Sequence, residues 1–168
     1  MIPTARNDVA QALIGRAPAR PAASVIVSAT AAGAVALTLL VAIGHVLHRP
    51  VLVPPLAASA ALVFAAPTLP LAQPRNVIGG QLISALVGFC AIAVGGWTLW
   101  TAAIAGALAI GAMALARAPH SPAAATAVIV VLTGPEPVTF LLLLALATSV
   151  IVAVGVIATR RGYPSYWW

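Results

Sequence analysis

The sequence has no lysine and only two acidic residues, Asp8 and Glu136, and charged side chains make up 6% of its length. A soluble domain carries roughly a quarter charged residues, so a water-solvated fold is excluded. The eight basic residues are all arginine, and they stand singly or as one pair between apolar runs. That scatter marks loop positions and argues against a nucleic-acid face. One cysteine, Cys90, lies inside an apolar run and has no second cysteine to pair with. Clusters of metal-ligand type, glycine loops that cradle phosphate and nucleophiles set beside a base are missing too, so no cofactor and no metal site is expected.

What fills the chain is hydrophobic residue, 62% of 168. Ser24 to Leu47 is uncharged, and its 24 residues reach about 36 Å as helix, enough to cross a hydrocarbon core of about 30 Å. A signal peptide is the competing reading, but the run is longer than an h-region of about 7 to 15 residues. Three more runs are long enough to span: Asn76 to Val94, Trp97 to Ala116 and Val138 to Thr159, with Gly95-Gly96 joining the first two as a hairpin. Pro55 to Ala66 and Pro122 to Leu132 hold only 12 and 11 residues. Each opens with proline, which suits a first helical turn where its missing N–H would have no partner. Each closes at proline or glycine, so both read as re-entrant half-helices.

The two halves echo each other. A shift of 67 positions lays Pro55-Leu56-Ala57-Ala58-Ser59-Ala60 on Pro122-Ala123-Ala124-Ala125-Thr126-Ala127 and brings the flanking long helices into register. The expected fold is therefore an all-α membrane protein of four full transmembrane helices plus two re-entrant half-helices, in two repeats of parallel topology (24–94 and 97–159) about an axis along the membrane normal. Residues 1–20 form a cytoplasmic segment in this scheme, 21–160 the transmembrane domain, and 161–168 a cytoplasmic aromatic tail. Arg6, Arg16, Arg20, Arg160 and Arg161 lie on the cytoplasmic side, against Arg49, Arg75 and Arg117 outside. The loops around Leu71 and Pro137 face outward, and Trp97, Trp100, Tyr163, Tyr166, Trp167 and Trp168 anchor the inner interface.

Broken helices at membrane depth are tolerated only inside protein or beside a watery cavity, so Pro55 and Pro122 locate a site. Two half-helix N-termini meeting near mid-membrane favour an anion through free N–H groups and dipole ends. Ser59, His120, Ser121 and Thr126 are the candidate anion-binding residues. Ser121 has helix capping as its competing role. Ser59 and Thr126 have back-bonding to a carbonyl one turn earlier, and His120 has satisfying loose backbone at the break. Arg49, Arg75, Asn76 and Arg117 are candidates for a basic vestibule, or else sit among lipid phosphates. Glu136 is placed to pair with one of these arginines. His45 and His48 close the first span at the interface, and Gly80, Ser84 and Gly88 form a close helix-packing face.

The run Ala66-Pro67-Thr68-Leu69-Pro70-Leu71-Ala72-Gln73-Pro74-Arg75-Asn76-Val77-Ile78-Gly79-Gly80-Gln81-Leu82-Ile83-Ser84-Ala85-Leu86, with His120-Ser121-Pro122-Ala123-Ala124-Ala125-Thr126-Ala127 and the earlier Pro55-Leu56-Ala57-Ala58-Ser59-Ala60, resembles the signature of the HPP family of integral membrane proteins, over about Ser24 to Thr159. Departures from the pattern are Ser121 for the motif's middle proline, Leu56 for phenylalanine, and Thr68 and Gln81 where many relatives carry histidine. The resemblance implies nitrite transport. The leading expectation is a transporter or channel for a small monovalent anion, nitrite first, in a bacterial cytoplasmic (inner) membrane, surrounded by lipid and assembled as a homo-oligomer. The alternative is a membrane module that senses an anion without flux. An intramembrane enzyme, with only His120, Glu136 and Cys90 to offer, ranks last.

Overall fold

The computed structural model describes residues 19–158, 163–165 and 167. Among them the chain is all helical: α1 (Ala23–Leu47), α2 (Pro54–Ala65), α3 (Pro74–Gly95), α4 (Leu99–Leu115), α5 (Ala124–Thr133) and α6 (Pro137–Ala158), with 3-10 turns at Pro70–Ala72 and Ser121–Ala123. Three helices, α1, α3 and α6, are long and apolar enough to cross a membrane. The fourth expected span, α4, has 17 residues, about 26 Å of helix. Thr98 sets its start, because its hydroxyl accepts the Thr101 N–H at 3.0 Å. The hairpin before it turns on Gly96, whose positive φ of 66° favours glycine.

Contacts at the helix ends fix the direction of every element. Arg49 and Pro50, after α1, line one groove with Thr133 at the end of α5 and with Glu136, Thr139 and Phe140 at the start of α6. Gly134 lies against the Trp97 ring of the α3–α4 hairpin. These form one end of the bundle, here the hairpin end. At the other, Ser165 beyond α6 donates its N–H to the Gln73 side chain before α3 at 2.7 Å. Arg75 at the start of α3 donates to the Ala116 carbonyl after α4 at 3.2 Å. This is the terminal end, where α1 also begins.

The short helices run between the two ends. α2 starts beside Phe140 and Leu144 at the hairpin end, and its Val63 meets Gly155 near the close of α6. α5 starts beside the first turns of α3, where Ala118 and His120 abut Gly80, and finishes at Gly134. The six helices thus alternate in direction, and α1–α3 and α4–α6 are inverted with respect to each other. This corrects the parallel-topology expectation and the re-entrant reading. Twelve residues of helix supply about 18 Å, and the extended segments on either side, at up to about 3.3 Å per residue, carry the chain the rest of the way. With an odd number of passes per half, the halves must be antiparallel.

A repeated cap supports the internal duplication. α1 ends on His48 with φ 52° and α4 on Arg117 with φ 54°. Arg49 N–H reaches the Gly44 carbonyl at 3.0 Å and Ala118 N–H the Met113 carbonyl at 2.9 Å, while His48 and Arg117 N–H reach back three residues to His45 and Ala114. This is the same left-handed cap in both halves, and each is followed two residues later by a proline, Pro50 or Pro119.

The interior is built mostly of small side chains. Ala36, Ala60, Ala85 and Ala147 pack around Leu40, Val63 and Ile151, and a second cluster joins Ala102, Ala105 and Ala109 of α4 to Ala127 and Val131 of α5. Small residues let membrane helices approach closely, where dispersion replaces the missing hydrophobic drive. Large apolar residues face outward, as with Val27 at 66% and Leu108 at 58% exposed.

Several placements at the interfaces change as a result. Leu71 and Pro137 lie at opposite ends, not together. Trp97 and Trp100 stand exposed at the hairpin end, and Trp167 is exposed as well. Tyr163 is buried against Gly155 and Val63, so it does not act as an anchor. Glu136 caps α6, accepting from Val138 N–H at 3.0 Å and Thr139 N–H at 2.7 Å. Hydrogen bonds from Thr139 and Val138 hold this fully exposed carboxyl below the usual range, and Arg49 adds a smaller attraction. Arg6, Arg16, Arg160, Arg161, Tyr166 and Trp168 lie outside the described residues.

The alternation has a direct consequence for labelling. In a Cys90→Ala background, cysteines placed at Leu71 and Ser165 react with an impermeant thiol reagent from the same side of the membrane, and one at Pro135 reacts from the other. Leu71 and Ser165 labelled from opposite sides would restore the re-entrant scheme.

Candidate functional site

The inversion brings the first two turns of α2 and the entry to α5 against each other. Pro54 and Pro55 open α2 after extended Val53, and His120, extended at φ −143°, precedes the 3-10 turn that leads into α5. Glycine makes room for this break: a Cβ on Gly80 would lie 2.7 Å from the His120 Cβ and 2.9 Å from the Ala118 carbonyl oxygen. Gly88, two turns on, admits Val130 of α5 in the same way. The expected packing face of Gly80, Ser84 and Gly88 is therefore the seat of the break and of α5.

Four side chains with no exposed surface meet at this seat: Ser59, Gln81, His120 and Thr126. His120 Nδ1 lies 2.7 Å from the Leu71 carbonyl oxygen. A carbonyl only accepts, so Nδ1 carries a proton. Nε2 lies 2.8 Å from the Ser59 hydroxyl. Gln81 donates its amide to the same hydroxyl at 2.9 Å and accepts from the Thr126 hydroxyl through its carbonyl oxygen. One amide thus spans the two hydroxyls that the internal repeat equates. The chain Leu71–His120–Ser59–Gln81–Thr126 ties α2, α3, α5 and the 66–73 segment into one polar junction.

Of the four candidate anion-binding residues, Ser59, His120 and Thr126 are brought together. Ser121 is not: it is exposed within the 3-10 turn, and the capping position belongs to His120, without a side-chain cap bond. The single vestibule does not form either. Arg49 stands at the hairpin end, and Arg75 and Arg117 at the terminal end. Asn76 is buried and donates to the Pro70 carbonyl at 2.6 Å, so it holds the Pro70–Ala72 turn. Cys90 is exposed on α3.

Gln81 was missed, and so was Gln73. The signal for Gln81 is its isolation, since no other amide occurs between Val77 and Gly95, and a lone amide in a spanning helix needs a partner from another element. Gln73 donates to the Pro67 and Leu69 carbonyls at 2.8 and 2.9 Å, tying the segment before α3 to itself. Two buried hydroxyls among the described residues have no hydrogen-bond partner, those of Tyr163 and Ser84. Ser84 lies one turn beyond Gln81 on α3.

The Pro55–Ala60 element, the run from Ala66 to Leu86 and the stretch from His120 to Ala127, which carry the resemblance, are the segments that build this junction. The family described as "HPP, transmembrane region" matches residues 18–164. The chain belongs to the HPP transmembrane family. It is an integral membrane protein by that membership and by its three long apolar helices. No curated protein and no solved structure matches it. In this HPP protein serine replaces the proline after His120, and the break survives because Pro122 still sits within the first turn.

Removing one member of the junction leaves a buried partner unmet. Thr126→Val strands the Gln81 carbonyl oxygen and lowers stability by about 1 to 3 kcal/mol, measured by denaturation in detergent. Ser121→Ala changes it by less than about 0.5 kcal/mol, as for exposed positions generally. Equal effects of the two would contradict the arrangement.

Proposed function

We propose that this HPP protein is a transporter or channel for a small monovalent anion, nitrite being the first substrate to test. The observation that carries the reading is the junction itself: two broken, oppositely directed helices meet on buried hydroxyl and imidazole groups with no acidic side chain among them. Inverted repeats with discontinuous helices at their interface are the architecture in which membrane transporters hold small ions. The early turns of α2 and the entry to α5 meet at the junction from oppositely directed helices, and the positive end of a helix dipole favours an anion over a cation.

The arginines support an orientation. Among the described residues Arg20, Arg75 and Arg117 lie at the terminal end and Arg49 alone at the hairpin end. The terminal end then faces the cytoplasm of a bacterial cell across its inner membrane. The exposed tryptophans of the hairpin occupy the opposite interface. The six helices of the described residues, two of them short, leave little room for a sealed pathway within one copy, so the working unit is read as a homo-oligomer.

Purified protein in liposomes decides the class. Nitrite, nitrate and chloride flux are compared with ammonium, against protein-free vesicles at equal anion gradient. The expected result is nitrite entry well above the protein-free rate, with ammonium at that background. Ammonium passing as readily as nitrite rejects the anion site. Saturable nitrite binding with no flux favours a sensing module over a transporter.

A further inference from the structure

The hydrogen count at Ser59 points beyond anion binding. Its hydroxyl oxygen has three neighbours: the Pro55 carbonyl at 2.9 Å, the Gln81 amide at 2.9 Å and His120 Nε2 at 2.8 Å. A hydroxyl offers one hydrogen and two lone pairs. Gln81 fills one lone pair. With His120 neutral, Nδ1 holds the imidazole proton against Leu71 and Nε2 is bare, so the single Ser59 hydrogen faces two acceptors and serves only one. With a second proton on the ring, Nε2–H fills the other lone pair and the Ser59 hydrogen turns to Pro55. All three contacts are then made with no heavy atom moved. The junction is built with a place for one more proton.

Among the described residues the same surroundings supply no charge to balance that proton. On the elements packed against His120, α2, the Pro70–Ala72 turn and α5 carry no charged side chain. α3 carries Arg75, which bonds the Ala116 carbonyl, and the connection after α4 carries exposed Arg117. Glu136 sits beyond the far end of α5 and is engaged by the first turn of α6. An imidazolium at this place therefore needs a mobile counter-charge. The Ser84 hydroxyl, one turn beyond Gln81 on α3, is a buried donor without a hydrogen-bond partner.

We propose that His120 takes up a proton from solvent at Nε2 together with the bound anion, so that anion binding and protonation are linked one to one. This deepens the anion-binding reading above and rests on it. The proton adds to the ring nitrogen, the Ser59 hydroxyl rotates from Nε2 to the Pro55 carbonyl, and the anion neutralises the new charge. No bond between heavy atoms is made or broken.

The test is titration calorimetry of sodium nitrite into the full chain in lipid nanodiscs, in buffers of low and high ionisation enthalpy. The expected result is close to one proton taken up per nitrite bound, with affinity rising about tenfold per unit fall in pH, as single-proton linkage requires. His120→Gln is expected to abolish proton uptake and flatten the pH dependence. Gln81→Glu places a resident carboxylate beside Ser59, so it is expected to abolish uptake as well and to weaken nitrite. A merely structural histidine would leave the proton count of Gln81→Glu like that of wild type. Nitrite bound by wild type with no proton uptake and no pH dependence overturns this inference and leaves the anion site standing. No nitrite bound at any pH overturns both. The wild-type measurement decides even where a variant fails to fold.

Discussion

A hydrocarbon interior offers no water to an unmet polar group, and two of the six helices among the described residues are too short to keep all their backbone out of it. The polar junction at Ser59, Gln81, His120 and Thr126 answers that constraint. His120 caps the Leu71 carbonyl on an irregular segment, Gln73 serves Pro67 and Leu69, and Asn76 serves Pro70. The imidazole then ties that segment to α2. Chains of mutually satisfied polar groups in a low dielectric are strong and specific, and each missing member is correspondingly costly. The rest of the fold, including the glycine seat on α3, is arranged to let these groups meet.

The inverted arrangement follows from how the chain crosses. A half-helix that returned to its own side would leave both halves pointing the same way. Extended segments before and after α2 and α5 instead complete each crossing, at the expense of backbone groups that side chains must satisfy. The two left-handed caps at His48 and Arg117 perform the same local turn in both halves, sending the chain from the first helix into its extended segment. The junction is nonetheless asymmetric. Ser59 and Thr126 are repeat partners, while Gln81 and His120 come from one side each and complete a single network between them.

Much of this was legible in the sequence. Uncharged runs gave α1, α3 and α6 to within two residues, and the prolines and glycines gave the two short helices and the hairpin. Ser59, His120 and Thr126 stood out because hydroxyls and imidazole beside a proline break have few uses in a membrane. Direction was not legible, because an apolar segment of a dozen residues has the same composition whether it returns or passes through. From that one error came the loops at Leu71 and Pro137 set together, the arginines grouped as one vestibule, and Trp97 and Trp100 set at the end that holds the termini. Gln81 escaped because hydropathy averages it away within α3. Ser121 misled because serine is a good cap in general, whereas here the preceding histidine holds the capping position.

The tautomer of His120 bears most directly on the account, since both the junction and its spare proton place depend on which nitrogen meets which oxygen. Solid-state 15N spectra of histidine-labelled protein in lipid at neutral pH, without added anion, with His120 assigned by its loss in His120→Gln, measure it. The account predicts a neutral ring with the proton on Nδ1, directed at the Leu71 carbonyl, and an unprotonated Nε2 accepting from the Ser59 hydroxyl. A proton on Nε2 with a bare Nδ1 would contradict it.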